Sequence, residues 1–109
     1  MISIDPNDRS YVTQINTISC KPEHQDELLS KMTAQAAEVM AKQPGCISLS
    51  LHKSLDGTQV VNYVQWAGKE LLDAAPEFQR RFGEYRHLIL DARPRLFIVV
   101  YQHGRESAS

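Results

Sequence analysis

Cys46-Ile47-Ser48-Leu49-Ser50-Leu51-His52-Lys53-Ser54-Leu55-Asp56-Gly57-Thr58-Gln59-Val60-Val61-Asn62-Tyr63-Val64-Gln65-Trp66 is the stretch on which the fold turns. Its first part alternates Ile47, Leu49 and Leu51 with Ser48, Ser50 and His52, the period of a strand with one buried face. Leu55-Asp56-Gly57-Thr58 has turn chemistry, and the β-branched and aromatic run after it reads as a second strand, so the two form a hairpin. Period two puts Asn62, Val64 and Trp66 on one side of that second strand and Val61, Tyr63 and Gln65 on the other. An amide and an indole thus share an apolar wall. Burying an amide without a partner costs about 1–3 kcal/mol, so Asn62 either has a structural partner or is kept for a ligand.

Outward from the hairpin the chain is nearly symmetrical. Upstream, Tyr11 to Ser19 reads as a strand rich in Val, Ile and Thr. Pro22 suits a first helical position with Glu23, Asp26 and Glu27 near the positive end. Leu28, Leu29, Met32, Ala36, Val39 and Met40 then recur at helical spacing up to a stop at Gly45. Downstream, a short helical piece is expected over 69–75, and Pro76 restarts a helix carrying Phe78, Phe82, Tyr85 and Ile89. Arg93-Pro94-Arg95 breaks it, and Leu96 to Tyr101 is the expected last strand. Strand, helix, strand, strand, helix, strand is the βαββαβ order of an α+β, ferredoxin-like fold with an antiparallel sheet. Residues 1–10 form an N-terminal arm, 11–102 the domain and 103–109 a polar tail. Helices cover one face of such a sheet; the other would show Ser48, Ser50, Val61 and Tyr63. A second copy is the simplest cover, which makes a homodimer the expectation.

With 109 residues there is room for one core. A net charge of −1 gives no electrostatic case for nucleic acid or an anionic membrane surface. The apolar run 96–101 is too short to span a bilayer, and the first residues lack a leader pattern, so a cytoplasmic location is expected with no membrane partner. Cys20 and Cys46 have no CxxC or Cys/His spacing and read as reduced, small hydrophobes. His24, His52, His87 and His103 are scattered, which argues against a metal site. No GxGxxG or GxxxxGK occurs, which argues against a nucleotide.

Pro44-Gly45-Cys46-Ile47-Ser48, then Leu51 to Gly57, then Val61-Asn62-Tyr63-Val64-Gln65-Trp66 resemble the antibiotic biosynthesis monooxygenase family. The most specific part is the Asp-Gly-Thr turn followed by Asn-Tyr-x-Gln-Trp. The resemblance implies a dimeric α+β barrel and, in its best-described members, cofactor-independent oxygenation of aromatic polyketides; relatives oxidise quinols or open haem. It implies that Asn62 and Trp66 line a pocket between sheet and helices, with Arg86 the nearest match to a helix arginine. Leu72 stands where those oxygenases carry a pocket tyrosine. On a helical wheel Arg86 lies about 70° from the mean direction of Phe78, Phe82, Tyr85 and Ile89, on the flank of the buried face. His87 lies about 170° away, facing solvent, which disfavours haem.

Triplet oxygen reacts slowly with closed-shell organics, but a deprotonated dihydroxyaromatic can donate an electron to it directly. The protein then need only hold the anion, exclude water and supply hydrogen bonds to developing charge. The catalytic candidates are Asn62 as donor to a phenolate or keto oxygen, Trp66 as ring platform and N–H donor, and Arg86 as anion stabiliser. Tyr85, Val64, Phe82 and Leu72 are the substrate-binding candidates. The expected activity is a monooxygenase of a phenolic, quinol-like or polyketide aromatic with O2 as co-substrate and no cofactor. The alternative is a non-catalytic dimeric small-ligand binder of the same fold.

Overall fold

The computed structural model describes residues 11–38, 42–68 and 83–104. Strand β1 (Val12–Ser19) leads through a 3-10 turn at Pro22–His24 into helix α1 (Gln25–Glu38). Strands β2 (Cys46–Lys53) and β3 (Gln59–Trp66) follow, then a 3-10 segment, Gly83–Leu88, and strand β4 (Asp91–Phe97). The sheet is antiparallel in the order β2-β3-β1-β4. That is the split βαβ arrangement expected from the element order.

The hairpin turn is built as the sequence reads. Gly57 takes φ +82°, a conformation that a side chain disfavours. The Asp56 carboxylate accepts from the Thr58 hydroxyl at 2.7 Å, the Thr58 backbone N–H at 3.0 Å and the Ser54 hydroxyl at 2.8 Å. These bonds, the Thr58 hydroxyl foremost, pull its pKa down to about 2. Gln25, buried at the start of α1, donates to the carbonyls of Ser54 (3.1 Å) and Gln59 (3.0 Å) and so ties the helix to the turn. The buried side of α1 is Gln25, Leu28, Met32 and Gln35, so two of its four buried positions are amides.

Two expectations change. The Arg93-Pro94-Arg95 segment lies inside β4 and does not precede it: β4 starts at Asp91, with Pro94 opposite Asn16, and residues 98–101 are not strand. β4 is an edge strand with one unpaired side, where a proline's missing N–H can be tolerated. The apolar run does not enter this chain's core either: Val100 and Tyr101 are 72% and 78% exposed. Helical geometry also fails before Ile89. Tyr85 (φ −125°, ψ 15°) joins two short 3-10 turns, and Ile89 packs on the core from outside them. The short helical piece expected over 69–75, with Leu72, and the first part of the helix expected from Pro76, with Phe78 and Phe82, lie outside the described residues, as do Val39 and Met40. Among the described residues no helix is long and apolar enough to cross a membrane.

Candidate functional site

Pairing register sorts the helix-side face of the sheet into rows about 7 Å apart. Ile18 pairs with Val60, Asn16 with Asn62, Gln14 with Val64, and Val12 with Trp66. The first row belongs to an apolar cluster with Cys20, Leu28, Met32, Tyr85 and Leu88. Val64 and Trp66 form a second cluster with Val12, Cys46 and Leu49. Between the two clusters lies the asparagine row. Both side chains are buried, Asn16 at 4% and Asn62 at 3% exposure.

The two asparagines are direct cross-strand neighbours, a separation at which side chains ordinarily interact. Neither Oδ1 accepts a hydrogen bond. They are the only fully buried side-chain polar atoms without a partner among the described residues. A donor missing at such an oxygen costs about 1–3 kcal/mol, and here the cost falls twice in one row at the centre of the sheet. Asn62 was legible as a candidate from its place on β3. Asn16 was missed, because an amide among the other polar residues of β1 carries no signal until register sets it opposite Asn62.

Trp66 is fully buried, and its indole N–H donates to Gln14 Oε1 at 3.1 Å. The ring can act as a wall, but its one donor is already engaged inside the sheet. Tyr85 is buried on the 3-10 segment, and its hydroxyl donates to Gln35 Oε1 of α1. Val64 is fully buried beside Trp66. Arg86, next to Tyr85 in the chain, is exposed, as is His87. Burial pushes the Cys46 thiol pKa up, which keeps it neutral beside the Trp66 cluster. Among the described residues no group of three His, Cys, Asp or Glu side chains is placed to hold a metal ion.

The opposite face of the sheet carries a depression of about 690 Å³ lined by Ser48, Ser50, His52, Tyr63, Gln65 and Gln102 among others. Four of its polar side chains, Ser50, His52, Tyr63 and Gln65, are already hydrogen-bonded. Thr13 Oγ1 donates to Gln65 Oε1 at 2.8 Å, Gln65 Nε2 donates to the Tyr63 hydroxyl at 2.8 Å, and Ser50 and His52 share a bond of 2.9 Å. Volume favours that face, whereas unmet hydrogen bonding favours the asparagine row. We take the second as the better guide, because a pre-formed binding site needs polar groups with capacity to spare.

Residues 11–76 match the family model described as antibiotic biosynthesis monooxygenase. The chain belongs to this family. It is similar to the tetracenomycin-F1 monooxygenase of Streptomyces glaucescens, with 30% identity over 110 residues that cover 98% of this chain and 96% of that one. Its fold is that of Rv0793 from Mycobacterium tuberculosis: TM-score 0.74, 18% identity, 87% of this chain and all of the other covered. It is also that of a mutant of SnoaB, a cofactor-independent oxygenase from Streptomyces nogalater, with TM-score 0.67, 20% identity, and 85% and 96% covered. Family membership and the ferredoxin-like α+β fold therefore agree with the reading of the hairpin.

Proposed function

We propose that this protein is a cofactor-independent monooxygenase of an electron-rich hydroxylated aromatic, a phenol, quinol or anthrone of the polyketide kind, that works as a homodimer. The observation that carries the reading is the row of two buried asparagines whose oxygens have no partner in the middle of the helix-side face. The oxygenase names of relatives in the same family support the reaction class.

In this reading the asparagine row meets the oxygen substituents of the substrate. An amide offers both a donor and an acceptor, so the pair can hold a hydroxyl while it is protonated and stabilise the oxyanion once the proton has gone. Trp66 and Val64 form the apolar wall against the rings, and Tyr85 closes the far end from its position near α1. No cation from the described residues stands in the row, so stabilisation comes from fixed amide dipoles in a place from which water is excluded. Arg86, being exposed, is left out of the role. The chemistry balances without a reductant. A ring carbon bearing hydrogen, para to a hydroxyl, becomes a carbonyl; one atom of O2 ends in that carbonyl and the other leaves as water with the C–H and O–H hydrogens. The first electron passes from the substrate anion to O2.

The partner copy would cover the open sheet face, where Tyr63, Ile15, Thr13 and Phe97 meet the apolar segment after β4. The test of the function is oxygen uptake by metal-free protein given 1,8-dihydroxyanthrone, read beside the spontaneous oxidation. Protein-dependent uptake with one carbonyl formed per O2 is the expected result. Uptake no faster than the spontaneous rate, across anthrones and hydroquinones alike, rejects the monooxygenase in favour of a binding protein.

A further inference from the structure

We infer that Gln14 is a third amide of the substrate site, donating through its Nε2 to an oxygen of the bound aromatic while Trp66 fixes its direction. The inference rests on the monooxygenase reading above and adds a residue that the asparagine row alone does not call for.

An indole nitrogen carries a hydrogen and can only donate. The Gln14 atom 3.1 Å from Trp66 Nε1 must therefore be the oxygen, and the usual ambiguity between the two ends of a glutamine amide is removed. The NH2 end is then turned away from the indole. Gln14 is only 8% exposed, and among the described residues its Nε2 donates to nothing. Its direct cross-strand neighbour is Val64, which offers no side-chain acceptor. Gln14 sits one row from Asn16 on the same strand face, about 7 Å along β1, between the Trp66 wall and the two unpartnered asparagines. An acceptor for the indole alone would not require a glutamine, whose Nε2 is unpartnered but not sealed from its surroundings and is therefore open to an incoming oxygen. A ligand oxygen over the wall supplies the missing acceptor. Trp66 thus serves the site at one remove: its N–H aims the glutamine, and the glutamine meets the ligand.

The experiment measures binding of 1,8-dihydroxyanthraquinone, which oxygen does not consume, by calorimetry. It compares the full-length protein with Gln14→Met, Trp66→Phe and the double variant. If Gln14 contacts the ligand, Gln14→Met weakens binding about tenfold in the parent and again in the Trp66→Phe background. If Gln14 merely holds the indole, its loss disappears once the indole N–H has gone, and the inference is overturned. Gln14→Glu at pH 8 guards against a folding artefact: its carboxylate still accepts from the indole but cannot donate. Weakened binding with unchanged emission from Trp66, the single tryptophan of the chain, supports the inference, and unchanged binding refutes it. A parent protein that neither binds the anthraquinone nor accelerates oxygen uptake overturns the monooxygenase reading and this inference together. A parent that does both, with Gln14 variants equal to it, overturns this inference alone.

Discussion

Replacing Asn62 by valine should make the protein more stable and less active, and the opposite signs are what make the change informative. Asn62 lies on β3 between the buried Val60 and Val64, and its Oδ1 is sealed away without a partner. The native state carries about 1–3 kcal/mol for that oxygen, which valine removes. Valine also suits a strand and continues the apolar row between the two clusters. A net gain of about 1 kcal/mol is expected, which in a domain of this size raises the Tm by roughly 4 °C or more. Activity should move the other way. Loss of one preorganised donor to a developing oxyanion costs on the order of a hundredfold in rate, close to 3 kcal/mol. The assay pairs a thermal melt at fixed protein concentration with oxygen uptake on 1,8-dihydroxyanthrone. A lower Tm would show that Asn62 is a structural amide whose partner the variant has lost. A higher Tm with undiminished turnover would show that the amide is idle and that chemistry happens elsewhere.

Light scattering at micromolar concentration should return about twice the 12.4 kDa chain mass, because Phe97, Ile98, Val100 and Tyr101 are all more than two-fifths exposed in the single chain; a stable species at the chain mass would rule the homodimer out. At the hairpin, the Asp56 pKa of about 2 lies below the ordinary carboxylate value, so its contribution to stability is complete above about pH 4 and is lost as pH falls through 2. Urea midpoints should therefore separate wild type from Asp56→Asn by a constant amount from pH 7 to about 5 and draw together progressively between about pH 4 and 2; a gap at pH 2 as wide as at pH 7 would mean that the carboxylate's charge does not hold the turn.

The sequence by itself determined the order of elements and which way the hairpin faces. Alternation with period two needs no tertiary information, and a turn with the chemistry of Asp56-Gly57-Thr58 closes in one way, so Asn62, Val64 and Trp66 had to share a side. Local signals failed where an element's neighbours decide the outcome. Arg93-Pro94-Arg95 reads as a break because proline removes a hydrogen bond, yet β4 lies at the sheet edge, where one side needs none. The periodicity through Tyr85 and Ile89 continues in the sequence although the backbone leaves helical geometry at Tyr85. The site shows the same division. Asn62 could be singled out from its own strand, whereas Asn16 and Gln14 acquire meaning only from the β1–β3 register, which sets one opposite Asn62 and the other within reach of the Trp66 indole. A hydrogen bond between residues 52 positions apart is a property of the folded chain, because no local pattern records which polar group will find its partner and which will be left without one.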